Sequence, residues 1–212
     1  QRQMCIRDSL IPSQMFTAID SVPLTAIAFF MLTGELMTSA TITDRLVALS
    51  RALIGRIKGG LAQVNVLVSM FFAGMNGSVV ADTATVGALV LPAMKKAGYP
   101  AAFSAAVTGV SSTIGGIIPP SIMMIVLANA TEISIASLFA AGIVPGILIG
   151  VVIMVINHYF AVKYNFERSD EPFSVRRAGK ELYRSSFALL IPLVLVGSVM
   201  GGVASVVEAG AS

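Results

Sequence analysis

From Leu61 to Met94 the chain is apolar enough to enter a bilayer, yet a polar interruption divides it: LAQVNVLVSMFFAG, then MNGSVVADT, then ATVGALVLPAM. The middle stretch gathers Gly74, Asn76, Gly77, Ser78, Asp82 and Thr83, residues that favour turns and helix caps over helix interiors. The pattern predicts two helical arms meeting at a polar tip. Each arm has only about 15 residues, short for a hydrocarbon core of ~30 Å, so the pair is expected to enter and return as a re-entrant hairpin. Ala101 to Asn129 is a second apolar stretch with a broken middle, Ser111-Ser112-Thr113-Ile114-Gly115-Gly116-Ile117-Ile118-Pro119-Pro120-Ser121. The prolines remove two amide donors and disfavour helix at Ile118, so this helix must be discontinuous. Non-helical backbone at membrane depth is tolerated where protein or a watery cavity satisfies it, and two such places imply a site. For the second one alone, a kink whose hydroxyls bond their own backbone remains the alternative.

The other segments read as support. Ser21 to Met37 predicts a spanning helix containing Pro23 and ending near Gly34-Glu35, with Glu35 at the far interface. In Thr43 to Lys58, Leu46, Leu49, Leu53 and Ile57 recur at helical spacing between Arg45, Arg51, Arg56 and Lys58. This predicts an amphipathic helix on the membrane surface, or an ordinary cytoplasmic loop helix. Ile135 to Val162 is an uninterrupted span with His158 and Tyr159 at its edge, where a lone His reads as a surface group. Lys163 to Arg184 is a hydrophilic loop, and Ser185 to Val207 is a further span holding Pro192, Gly201 and Gly202. The expected organisation is an extension at 1–9, foreign to the native protein or disordered; a scaffold helix and interfacial arm at 10–60; a transport-domain part at 61–162 (hairpin 61–94, broken helix 101–129, helix 135–162); a cytoplasmic loop at 163–184; and the start of a second scaffold repeat at 185–212.

Composition fixes the class. With 56% hydrophobic residues, 12% charged residues and a mean hydropathy of +0.87, the chain is expected to be an integral membrane protein. Runs of about 20 apolar residues suit helices rather than a barrel, so the fold class is all-α. The net charge of +3 lies in short loops, which points to topology and not to nucleic acid. A single cysteine, Cys5, excludes an internal disulfide, and one His with no Trp and scattered carboxylates argues against a transition-metal site or cofactor.

Charge placement tests the hairpin. If Arg45 to Lys58 is cytoplasmic, a re-entrant Leu61 to Met94 leaves Lys95 and Lys96 cytoplasmic, and two further crossings return Lys163 to Arg184 to the same side. A single crossing would put both later basic segments outside.

Broken helices present amides and carbonyls at depth. Carbonyl and hydroxyl oxygens at Asn76-Gly77-Ser78 and at Ser112 to Gly116 suit Na⁺, while free amides suit an anionic substrate. Asp82 is the one titratable group nearby. A role capping the second hairpin arm is preferred for it over proton carriage.

The runs SMFFAGMNGSVVADTATVGALVLPAMKKAGY and AVTGVSSTIGGIIPPSIMMIVLANATEISIASLFAAGIVPGIL resemble the DctM-like large membrane subunit of tripartite ATP-independent periplasmic (TRAP) transporters, in the wider ion-transporter superfamily. The resemblance covers about Phe16 to the C-terminus. It implies the first half of an inverted-repeat elevator transporter in the bacterial inner membrane, with no enzymatic activity. It implies a small four-helix membrane subunit, a soluble periplasmic binding protein, and import of an organic acid such as a C4-dicarboxylate or sialic acid driven by a Na⁺ gradient. Carried over, the first sodium site falls on Asn76, Gly77, Ser78, Ser112, Thr113, Gly115 and Gly116, with Asp82, Pro119 and Pro120 structural beside it. The family commonly has Ser at the position of Asn76 and Pro at that of Gly116. The second hairpin and most of the substrate site would lie outside these residues, so the segment alone is expected not to transport. A stand-alone Na⁺/organic-anion symporter is the nearer alternative. An intramembrane enzyme is a remote one, since no base lies near Ser78 and Asp82 has no second deep carboxylate beside it.

Overall fold

Gly77 and Ser78 turn the chain back on itself. In the computed structural model, which describes residues 10–13, 15, 27–29, 31–32, 34, 42–54, 57–166, 175–203 and 208, helix α2 (Gly60–Asn76) ends at Gly77 with φ +59° and helix α3 (Val79–Lys96) starts after an extended Ser78. The left-handed conformation at Gly77 is one that only glycine adopts freely. At the opposite end of the pair, Asn65 Nδ2 lies 3.7 Å from Met94 Sδ, so the arms run antiparallel. With 17 and 18 residues they are longer than the arms of about 15 residues expected, ~26 and ~27 Å at 1.5 Å per residue. Before them, α1 (Ile42–Ile54) leads to Gly59, whose φ of +75° opens α2.

The expected discontinuity is present. Helix α4 (Ala101–Ser112) tightens into a 3₁₀ turn over Thr113–Gly116, passes Pro119 and Pro120, and resumes as α5 (Ile122–Thr131). The α-helix is lost several residues before the prolines act, because Gly115 and Gly116 hold helix weakly and Ile118 precedes a proline. Ser121 restarts it. Its Oγ accepts from the Met124 amide at 3.4 Å and donates to the Gly116 carbonyl at 2.8 Å.

Helix α6 (Ile135–Lys163) is the one element among the described residues that is long and apolar enough to cross a membrane unaided. It runs antiparallel to α2: Gly59 abuts Ala161, Gln63 Nε2 donates to the Met154 carbonyl at 2.7 Å, and Gly150 faces Met70. Gly142, Gly146 and Gly150 form a small-residue row that lets the neighbouring chain come close; a Cβ on Gly146 would fall 2.5 Å from Ile118 Cγ1.

Two expectations need adjusting. Helix α7 (Val175–Met200) begins within the stretch read as a hydrophilic loop, and it ends at a turn through Gly202 at φ +68°, short of Val207. Its charged first half packs against α1, where Ser185 Oγ donates to the Arg45 carbonyl at 3.3 Å. The amphipathic helix is correspondingly held by protein along part of its apolar stripe. Leu46 and Leu49 are fully buried, while Leu53 and Ile57 remain exposed. The extension at 1–9, Glu35 and most of the span expected from Ser21 to Met37 lie outside the described residues.

The basic segments meet at one end of the bundle. Lys58 Nζ donates to Asn165 Oδ1 at 3.2 Å, and the rings of Tyr99 and Phe166 pack tilted by 39° with centroids 4.7 Å apart. Thus the hairpin base, the start of α4 and the end of α6 share a level.

Candidate functional site

The tip of the hairpin and the break in the second helix are in contact. The Ile122 amide donates to the Gly77 carbonyl at 3.4 Å, and a Cβ on Gly77 would strike the Pro120 carbonyl oxygen. A Cβ on Gly115 would sit 3.7 Å from the Ser78 carbonyl carbon, and one on Gly116 3.3 Å from Val79 Cγ2. Small residues therefore set the approach from both sides. Gly34, in the part of the first span that is described, also abuts the tip: a Cβ there would fall 2.6 Å from Asn76 Cβ.

Most of the residues expected at the site gather here. Asn76 is buried, its Oδ1 accepts from the Ser78 amide at 3.1 Å, and its Nδ2 has no partner among the described residues. Ser78 Oγ caps α3 by accepting from the Ala81 amide at 3.3 Å. Ser112 is buried and donates to the Thr108 carbonyl at 2.8 Å. Gly115, Pro119 and Pro120 are buried and Gly116 is half-buried. Thr113 stands apart: its side chain is exposed and its hydroxyl donates to the Val110 carbonyl at 2.7 Å.

Asp82 does not cap the second arm. Ser78 already fills that position, and both Asp82 carboxylate oxygens are fully buried with no hydrogen-bond partner in standard geometry among the described residues. The hydroxyls of Ser112 and Ser69 face the carboxylate. Ser112 spends its proton on Thr108, and Ser69 shares a 3.2 Å hydrogen bond with Ser111. What converges on Asp82 is thus a set of hydroxyl oxygens beside a buried carboxylate, a donor set that suits a hard cation. Among the described residues no group of three or more His, Cys, Asp or Glu could hold a metal ion, so a cation here would rest on hydroxyl, amide and backbone oxygens with one carboxylate.

A polar ladder below the tip was not anticipated. Asn65 Nδ2 donates to Thr108 Oγ1 at 2.7 Å, Thr108 donates to the Ser104 carbonyl at 2.9 Å, and Ser69 pairs with Ser111. Asn65 and Ser69 are four residues apart, and Ser104, Thr108 and Ser111 follow at helical spacing. Polar groups so spaced in an otherwise apolar run were the available signal. The order of the pairs, 65 with 108 and 69 with 111, shows that α2 and α4 run parallel toward the tip and the break.

A family model described as "Tripartite ATP-independent periplasmic transporter, DctM component" matches residues 4–212. The chain belongs to this TRAP transporter family. It is 38% identical over 192 residues to the sialic acid TRAP transporter permease protein SiaT of Haemophilus influenzae, covering 90% of this chain and 31% of that protein. It is 35% identical over 198 residues to the large permease protein SiaM of Vibrio cholerae, covering 93% of this chain and 46% of that one. It is 36% identical over 198 residues to the C4-dicarboxylate large permease protein DctM of Pseudomonas aeruginosa, again covering 93% and 46%. The TRAP segment therefore spans less than half the length of these relatives. They are membrane permeases and not enzymes. In keeping with that, His158 is exposed near the base of the bundle, away from the serines of the tip.

Proposed function

We propose that this TRAP segment is the first half of a permease that imports small organic acids across the bacterial inner membrane, coupled to Na⁺. The hairpin α2–α3 enters the bilayer and returns. With α4, α5 and α6 it forms a body that moves as a unit against a fixed scaffold. A periplasmic binding protein delivers the acid, a carboxylate of the C4-dicarboxylate or sialic acid kind, and a small membrane subunit completes the assembly. These partners and substrates follow from family membership and from the names of the relatives. The second hairpin and most of the substrate contacts belong to the remainder of the full-length protein.

The observation that supports the Na⁺ reading best is the unpartnered Asp82 carboxylate beside Ser69 and Ser112, under the contact between Gly77 and Ile122. A buried carboxylate takes up a proton unless a cation compensates its charge, and a cation bound here would hold Asp82 ionised. Neutral oxygens from Asn76, Ser78 and the Ser112–Gly116 turn are available to complete a weak, hard-cation shell. Bound Na⁺ would draw the tip onto the break and complete the surface against which the acid binds.

The reading is tested by the thermal stability of a purified full-length permease containing this segment, titrated with NaCl against KCl at constant ionic strength. A midpoint that rises with Na⁺ and not with K⁺ is expected, since a ligand of the folded state stabilises it by mass action. Equal curves in the two salts would contradict it.

A further inference from the structure

Asn65 is completely buried, well below the tip, and its side-chain partners Met94, Thr108 and Ser111 are not among the residues of the proposed ion site. Twelve residues separate it from Gly77, about 18 Å along the helix. Yet its amide engages both neighbouring helices. Nδ2 donates to Thr108 Oγ1 on α4 at 2.7 Å and lies 3.7 Å from Met94 Sδ on α3, while Oδ1 accepts from Ser111 Oγ on α4 at 3.5 Å. All of the partners are buried as well. Apart from this amide and the Ser69–Ser111 pair one turn on, the buried core around this level includes Val64, Val68, Val90 and Val107, which grip without specifying register.

Apolar surfaces have no preference for one another over lipid, so in a membrane the axial register of two helices is set by close packing and by polar contacts. Because α2 and α4 run parallel, the register of Asn65 against Thr108 is carried up both helices to the register of Ser78 against Gly115. A slip of one turn is 5.4 Å and would uncouple the tip from the break. The same amide also reaches the hydroxyl that pairs with Ser69: Ser111 Oγ, which donates to Asn65 Oδ1 or to the Thr108 carbonyl, lies 3.2 Å from Ser69 Oγ, and Ser69 faces Asp82. We propose that Asn65 is a positioning residue for coupled transport, holding the hairpin and the broken helix in one register and, through Ser111, keeping Ser69 in place beside the ion. This rests on the function proposed above.

The test uses a full-length permease containing this segment, made cysteine-free, and two readouts. Register is read by disulfide formation between Val79→Cys and Gly116→Cys, chosen because a Cβ on Gly116 lies 3.3 Å from Val79 Cγ2. Coupling is read, without that pair, by the NaCl concentration giving half-maximal uptake. For Asn65→Leu we expect disulfide formation in folded protein to slow about tenfold and the half-maximal Na⁺ concentration to rise about tenfold, as for loss of an outer-shell partner. Asn65→Leu with Thr108→Val removes both polar partners; it should recover folded yield without recovering either readout. If Asn65→Leu does not fold, Thr108→Val alone should move both readouts in the same direction. Folded variants with unchanged disulfide rate and unchanged Na⁺ requirement would overturn the proposal and leave Asn65 a packing residue. If uptake by the parent proves independent of Na⁺ while the disulfide rate still depends on Asn65, the register role stands and the Na⁺ reading falls.

Discussion

The amide of Ile122, the first residue of α5, donates to the carbonyl of Gly77, the last link of α2, at 3.4 Å. A helix that ends at depth leaves carbonyls unpaired, and one that begins there leaves amides unpaired. Here one orphan satisfies the other. The two interruptions in the chain are thus halves of one structure, and substitutions at either are expected to act on both.

Gly77→Ala is the sharpest steric test. The residue holds φ +59°, and a Cβ would run into the Pro120 carbonyl. Strain at such a φ costs ~1 kcal/mol or more for a side-chain-bearing residue, and the collision adds to it. Folded yield of the full-length permease should fall steeply and uptake should be lost. Gly98→Ala, also at positive φ but with no atom of the described residues within 4 Å of the added one, should cost only the backbone strain. Yield measured by size-exclusion chromatography compares the two.

Asp82→Asn separates an ion partner from a helix cap. Loss of a cap would lower stability in every salt. Loss of an unpartnered buried charge should instead raise stability in Na⁺-free KCl, by about 1–3 kcal/mol, and remove most of the added stability given by NaCl. Thermal midpoints of wild type and variant in the two salts give the answer.

Ser78→Ala deletes an observed cap, the 3.3 Å bond from the Ala81 amide, and should cost ~1 kcal/mol. It should also raise the Na⁺ concentration for half-maximal uptake if the same hydroxyl faces the ion. Ser78→Thr should restore the cap and the Na⁺ dependence together. An unchanged Na⁺ requirement in Ser78→Ala would confine Ser78 to capping.

The hairpin and the discontinuous helix were legible in the sequence because turn formers and prolines act locally. Asn76-Gly77-Ser78 and Gly115-Gly116 with Pro119-Pro120 announce their breaks whatever surrounds them. Lateral relations were not legible. That Asn65 meets Thr108, or that Gly146 accepts Ile118, depends on which faces the helices turn toward each other. Asp82 illustrates the same limit: its place in the first turn of α3 suggested a cap, and only the packing of α2 and α4 shows that Ser78 serves there while the carboxylate points at Ser69 and Ser112. The start of α7 at Val175 was missed for a different reason, since charged residues in a good helix-forming stretch read as a loop by hydropathy alone.

Uptake of a labelled organic acid tests the central claim most directly. A full-length permease containing this segment would be reconstituted into liposomes with its small subunit and assayed with and without an inward Na⁺ gradient, and with and without the binding protein. The account predicts accumulation only when the Na⁺ gradient and the binding protein are both present. Accumulation with the Na⁺ gradient alone would make the protein a self-sufficient symporter. Accumulation that ignores Na⁺ would contradict the role given to Asp82 and the tip.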